Sequence, residues 1–332
     1  MASFLARVFS GRRENSDCTR RFNRSGLRRA TVKLCQTREP CALAAARTHI
    51  VLKSAPTHLM PSITEKRETF RSLHESGCFA LPNPWDIGSA RYLQHLCFKA
   101  LATTSAGFAF SHGLPDYAVP RDMMLEHIRE LVEASDLPVN ADFENGYADD
   151  LDSLAENVRL CVATGVAGLS IEDSTGDKER PLYEIDHATS RIEAARSAIG
   201  DAILVARTEC FLVGRTDLDE VTRRLRAFAD AGADCLYAPG VREREHIAVL
   251  VQAITPTPLN VLISSPGSLT MNDAAALGVR RVSVGGALAR AAWGGLIRAA
   301  TELAEQGTFG GFADAAEHGK LDQFFTEDAK LR

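Results

Sequence analysis

From Cys78 onward the sequence repeats one pattern eight times: a short apolar run rich in Val, Ile, Leu and Ala, followed by a stretch with helical spacing of apolar residues. The runs are Phe79–Leu81, Ala100–Thr104, Val139–Phe143, Gly168–Glu172, Ile203–Thr208, Cys235–Ala238, Leu259–Ser264 and Arg281–Val284. The helical stretches are Ile87–Leu96, Arg121–Ala134, Asp152–Thr164, Ile185–Ile199, Asp217–Ala231, Glu243–Ile254, Asn272–Leu277 and Leu288–Gln306. Several stop at a glycine (Gly165, Gly200, Gly232, Gly278 and Gly307), where a left-handed cap is expected. Apolar runs without alternation are buried on both faces, which means a parallel sheet covered by helices. Eight such units in series predict an α/β fold, a closed (β/α)8 TIM barrel. No G-x-G-x-x-G follows the first run, which argues against an open dinucleotide-binding sheet.

The barrel is assigned to residues 60–332. Ser62-x-x-Glu65 is a capping box, and the helix it opens carries Phe70 and Leu73 and ends at Gly77. Residues 1–59 read as a basic extension outside the fold. Through Met60 the chain holds 12 Lys/Arg against 3 Asp/Glu, whereas the remainder holds 26 against 40. Three origins suit that segment: a mitochondrial transit peptide, a nucleic-acid-binding arm, or sequence upstream of a natural start at Met60. The acidic body argues against nucleic acid as the main partner. No apolar run approaches the ~18 residues of a membrane span. The eight cysteines form no C-x-x-C and most body cysteines sit in apolar stretches, so buried reduced thiols and a cytoplasmic protein are expected, or a mitochondrial one if the basic segment is genuine.

The polar residues carry the chemistry. Asp86, Ser105, Asp142, Glu144, Glu172, Asp173, Arg207, Glu209, Ser264, Ser265 and Gly285-Gly286 all fall at or just beyond the C-terminal ends of the runs, which converge on one rim of a barrel. Asp142, Glu144 and Glu172 make an all-oxygen set suited to Mg2+ held by one or two carboxylates and several waters. Asp142-x-Glu144 alternates along a strand, so both side chains are expected on one face. Arg207 lies inside an apolar run and reads either as an internal partner of Glu209 or as a fork for a substrate carboxylate that Glu209 orients. Gly285-Gly286 suits an anion-binding turn or close helix–strand packing equally. The polar loop Ser174–Pro181 beside Glu172 suits a gating lid.

Seven motifs are spaced along the barrel: Leu81-Pro-Asn-Pro-Trp-Asp-Ile-Gly-Ser-Ala-Arg91, Ala102-Thr-Thr-Ser-Ala-Gly107, Asp142-Phe-Glu-Asn-Gly-Tyr147, Ser170-Ile-Glu-Asp173, Val205-Ala-Arg-Thr-Glu209, Leu236-Tyr-Ala-Pro-Gly240 and Val282-Ser-Val-Gly-Gly286. Together they resemble the isocitrate lyase/phosphoenolpyruvate mutase superfamily, in its carboxyvinyl-carboxyphosphonate phosphorylmutase-like branch. The resemblance implies Mg2+ near Asp142 with Glu144, Glu172 and Asp116, a 2-oxo acid received by Ser105, Ala106 and Gly107, and a carboxylate or phosphonate on Arg207. Arg207, Glu172 and Glu209 are the expected catalytic residues. The implied assembly is a dimer or tetramer that exchanges its last barrel helix. The loop after Glu172 lacks both the lyase signature Lys-x-Cys-Gly-His and the mutase pattern Lys-x-x-x-Lys-x-Asn, a departure that argues against the isocitrate and methylisocitrate lyase reactions and weakens the mutase one. The expected activity is Mg-dependent cleavage or decarboxylation of a small 2-oxo dicarboxylic acid of the oxaloacetate kind. The alternatives are phosphonate P–C chemistry on the same scaffold and a barrel that binds a metabolite without turnover.

Overall fold

The computed structural model describes residues 60–267 and 269–332. The basic extension assigned to residues 1–59, with Cys18, Cys35 and Cys41, lies outside the described residues.

The first helix, α1 (Ile63–Glu75), starts where the sequence places it. Glu65 N donates to Ser62 Oγ at 3.2 Å, and Ser62 N donates to Glu65 Oε2 at 2.8 Å. This box satisfies two of the amides that every helix start leaves unpaired. Eight strands follow: β1 (Phe79–Leu81), β2 (Leu101–Ala102), β3 (Val139–Asp142), β4 (Gly168–Glu172), β5 (Ile203–Arg207), β6 (Cys235–Tyr237), β7 (Leu259–Leu262) and β8 (Arg281–Ser283). Every ladder is parallel, in the order β1-β8-β7-β6-β5-β4-β3-β2. Ala102 N donates to Pro82 O at 3.0 Å across the remaining seam and all but closes the barrel.

The connecting helices are α2 (Ile87–His95), α3 (Ser105–Ser111), α4 (Arg121–Ala134), α5 (Leu151–Val162), α6 (Ile185–Ala198), α7 (Leu218–Asp230), α8 (Arg244–Ile254), α9 (Met271–Ala276), α10 (Ala287–Gln306) and, at the end, α11 (His318–Leu331). The five glycines expected to end helices all have positive φ. Two of these helices were not expected. Thr104 leaves the strand to cap α3, with Gly107 N donating to its Oγ1 at 3.2 Å. Thr103 N still donates to Asn140 O at 2.9 Å, and beyond Thr104 the backbone turns into the helix. The other unexpected helix, α11, buries no residue completely, which leaves a weak apolar pattern to read.

The apolar residues divide into two cores. The larger fills the space between sheet and helices, with Leu131, Leu154, Leu169, Ile171, Leu225 and Val261 among its members. The smaller lies inside the barrel, where Phe70 of α1 packs with Phe79, Leu81, Ile203, Val205, Cys235 and Tyr237. Phe70 is fully buried. Removing such a ring from water contributes about 1.5–3 kcal/mol, which anchors α1 against the interior of the sheet. Cys161, Cys210 and Cys235 are buried free thiols as expected, while Cys97 is exposed. Among the described residues no helix is long and apolar enough to cross a membrane.

Candidate active site

The C-terminal ends of the strands surround a cavity of about 340 Å³. Its wall includes Ser105, Ala106, Asp116, Tyr117, Asp142, Glu172, Arg207, Tyr237 and Ser283, so strands far apart in sequence contribute to one chamber.

Arg207, the last residue of β5, organises the acidic side. Its Nε bonds Glu209 and lies 3.4 Å from Glu172 Oε2, and its Nη1 lies 3.4 Å from Asp142 Oδ1. Burial disfavours the guanidinium charge, but Glu209 and Glu172 outweigh it and hold Arg207 protonated. The aromatic face of Tyr237 lies 5.2 Å from the guanidinium carbon. No hydrogen bond engages Nη2 among the described residues, so one arm of the fork is left for a ligand. The pairing with Glu209 is therefore present, and it does not use up the guanidinium.

Asp142 ends β3, and its Oδ2 accepts from Ser105 N at 3.1 Å and Ser105 Oγ at 2.9 Å. Its own amide donates to Thr103 Oγ1 at 2.8 Å. Glu172 ends β4, is almost wholly buried and accepts from the Tyr117 hydroxyl. Burial raises its pKa well above the usual carboxylate range, with Arg207 opposing the rise. Asp116 is also raised, first by burial and then by Asp142.

Glu144 departs from the sequence reading. β3 ends at Asp142, so the alternation that would set both acids on one face stops two residues short of Glu144. Glu144 sits in the following turn with φ +49° and does not line the cavity. Burial, then Asp142 and Asp116, push its pKa up to about 8. Its Oε1 is buried without a hydrogen-bond partner, as is the Tyr147 hydroxyl. The two groups influence each other's ionisation but fall outside hydrogen-bonding geometry. Gly146 makes the turn possible: its φ is +80°, and a Cβ there would lie 2.2 Å from Leu154 Cδ1.

Other expected residues have supporting positions. Glu209 lies behind Arg207 rather than on the cavity wall, and Gly107 lies one turn inside α3 against Trp85 and Ala289. Asp173 is a buttress: its carboxylate accepts from Thr208 Oγ1 at 2.7 Å, Glu209 N at 2.9 Å and Arg224 Nη1 at 3.1 Å. The Gly285 amide is already occupied, donating to Asn83 Oδ1 at 2.8 Å, which favours the packing role of Gly285-Gly286. The loop Ser174–Pro181 is pinned at its base by Thr175 N donating to Pro181 O at 3.0 Å and is absent from the cavity wall. Among the described residues, no three Asp, Glu, His or Cys side chains come together as a ready-made metal cage.

Sequence reasoning missed Tyr117, Asn83, Tyr237 and Arg281. Tyr117 reaches Glu172 only because its backbone is left-handed, at φ +65°, which no local pattern announces. Arg281 was open to the argument used for Arg207, since it shares one face of β8 with Ser283.

Residues 70–304 match the family model described as phosphoenolpyruvate phosphomutase. A crystal structure from Burkholderia cenocepacia J2315, described only to the level of a lyase/mutase, is 48% identical, spans 80% of this chain and 97% of its own, and superposes with a TM-score of 0.77. Oxaloacetate decarboxylase of Marinomonas sp. MWYL1 is 30% identical over 77% of this chain and 91% of its own length. The structure of an oxaloacetate acetylhydrolase with its product oxalate is 28% identical, spans 80% of this chain and 96% of its own, and has a TM-score of 0.70.

Proposed function

Because the chain belongs to the phosphoenolpyruvate phosphomutase family, a family of lyases and mutases, we propose that it cleaves a carbon–carbon bond of a small 2-oxo dicarboxylic acid, with oxaloacetate as the reference substrate. One observation carries this reading: a half-buried arginine with a free arm faces the same chamber as the carboxylates Asp142 and Asp116.

The residues fit a Mg2+ ion. Their donors are hard oxygens, burial and then the neighbouring Asp142 raise the pKa of Asp116 and of Glu144, and Glu144 keeps a buried oxygen without a partner. Added positive charge relieves all three. With no ready cage, Asp142 would hold the ion directly, and Asp116, Glu144 and Glu172 would act largely through water, a ligand set that Mg2+ accepts. Bound there, Mg2+ would act as a Lewis acid toward the 2-oxo group and stabilise enolate charge.

The chain's own groups do the rest. Arg207 Nη2 takes a substrate carboxylate, and Glu209 and Glu172 fix the orientation of the fork. Ser105 and Ala106 bound the chamber beside Asp142, with Ser105 holding that carboxylate in place. Leu81, Ala102 and Leu262 add apolar patches to a wall that is otherwise largely polar.

The test is pyruvate release from oxaloacetate with Mg2+, measured against metal alone. Release no faster than the metal-only rate would overturn the reading and leave a metabolite-binding barrel. Conversion of phosphonopyruvate seen by phosphorus NMR would establish the phosphonate alternative instead.

The proposal extends to a homo-oligomer that exchanges α10 or α11. Trp293, Leu296 and Ile297 of α10, Phe309 and Phe312 of the segment that follows it, and Leu331 of α11 are exposed apolar residues that a second copy would cover. A monomeric mass by light scattering would refute it.

A further inference from the structure

The cavity contains a second arginine, this one buried, and its charge is unanswered. Arg281 begins β8, is 2% exposed and lines the same chamber as Arg207. The two guanidinium groups are held very differently. Arg207 meets three carboxylates. Arg281 meets only neutral groups: its Nε donates to Asn260 Oδ1 at 3.0 Å, and its Nη1 lies 3.4 Å from both Asn140 Oδ1 and His74 Nε2. No acidic side chain pairs with it among the described residues, and its Nη2 has no hydrogen bond. His74 adds no second charge, because burial and the Arg281 charge itself keep that imidazole neutral.

A guanidinium stays charged even when buried. A buried cation without a counter-ion is among the costliest groups a fold can carry, and burial without a partner is rare for arginine. The two asparagines orient the group without neutralising it. Asn260 in turn donates to Ser283 Oγ at 3.0 Å, which ties the arrangement to the cavity wall. The result is an oriented donor facing a chamber that reaches the acidic rim.

We infer that Arg281 forms the floor of an anion subsite that receives a second carboxylate of the substrate, the one far from Arg207. This rests on the reading of the rim as a 2-oxo acid site and narrows its substrate class. A carboxylate held by a cation resists leaving as CO2, because decarboxylation must drain the electron pair from that group into the breaking bond. The group at Arg281 is therefore one the product retains. The favoured substrate carries a carboxylate beyond the bond that breaks, and is longer than oxaloacetate.

The experiment measures binding to the full chain by calorimetry, with Mg2+ present, for two pairs of probes: succinate with succinamate, and glutarate with glutaramate. Each amide keeps the shape of its parent and removes one charge. In the wild type the diacid should bind at least tenfold more tightly than its amide, with the larger ratio for glutarate. In Arg281→Gln that ratio should collapse to within threefold, and in Arg281→Lys it should be intermediate. Equal affinities for diacid and amide in the wild type would overturn the inference, and so would a ratio that survives in a folded Arg281→Gln. If Arg281→Gln does not fold, the wild-type ratios and Arg281→Lys still decide the matter. The binding measurement stands apart from turnover. An enzyme inactive on oxaloacetate that still shows the Arg281-dependent ratio loses the proposed reaction and keeps the subsite. An active enzyme without the ratio does the reverse.

Discussion

Replacing Arg207 separates its two roles. The perturbation is a pair of variants, Arg207→Met and Arg207→Lys. At 3.4 Å and an effective dielectric near 20, each carboxylate contact is worth about 5 kcal/mol of gross Coulomb attraction. Desolvation and repulsion among the acids consume most of that, and the net loss on breaking a buried pair is about 3–5 kcal/mol. Arg207→Met strands Glu172 and Glu209, both nearly inaccessible, and should lose that amount. At about 2–4 °C per kcal/mol for a domain of this size, Tm should fall by roughly 6–20 °C. Arg207→Lys keeps the charge but replaces a planar fork with a single point, which cannot serve Nε, Nη1 and Nη2 directions together. Its stability loss should stay below about 2 kcal/mol. Its kcat/KM should nonetheless fall at least about 100-fold, the scale of a misplaced reacting group. The assays are thermal unfolding by circular dichroism and steady-state pyruvate release. A folded Arg207→Lys enzyme with near-wild-type kcat/KM would refute the substrate role and leave only the ion pairs.

Asp142→Asn should abolish the rise in Tm that millimolar Mg2+ gives the wild type, without lowering Tm in metal-free buffer, because a charge leaves the crowded group with Glu144 and Asp116; an intact Mg2+ response would remove Asp142 from the ion's ligands. His74 has its pKa lowered to about 3, chiefly by burial and then by Arg281, so between about pH 3 and 6.5 the unfolded chain binds the proton and the folded chain does not. The stabilisation is full above pH 6.5 and is lost as pH falls, on the order of 1 kcal/mol per unit; urea unfolding at pH 7 and pH 5 should show His74→Gln less acid-sensitive than the wild type, and equal sensitivity would count against it. Gly146→Ala meets both a left-handed backbone and Leu154, and should cost about 2–5 kcal/mol in a chemical denaturation midpoint; a loss under 1 kcal/mol would mean that the turn relaxes freely.

The barrel was legible because its signals are periodic. The strand–helix unit repeats eight times, with five glycine stops among the units, so an error in one unit does not alter the fold. The helix starting at Arg121 and ending at Ala134 is bounded as the sequence suggests. The site was legible where it depends on strand ends: Asp142, Glu172 and Arg207 close β3, β4 and β5 and meet in space. It was illegible where loops bring groups back. Tyr117 and Glu144 owe their positions to left-handed backbone, and Asn83, just past β1, holds the amides of Val284 and Gly285 just past the paired strand β8, about 200 residues away in sequence. The short helix α3 was hidden because Thr104 reads as the end of a strand and serves as a cap.

The left-handed residues around the cavity have a consequence for how this protein can change. Tyr117, Glu144 and Tyr147 account for three of the four non-glycine residues with positive φ among those described, and all three adjoin the acidic rim. Each such backbone stores roughly 1–3 kcal/mol, so together they take up a substantial fraction of the 5–15 kcal/mol that keeps a typical domain folded. Substitution by glycine or asparagine releases that tension at once. Selection for heat tolerance alone, with activity unmonitored, would therefore act first on these three positions and dismantle the rim while the barrel grew sturdier.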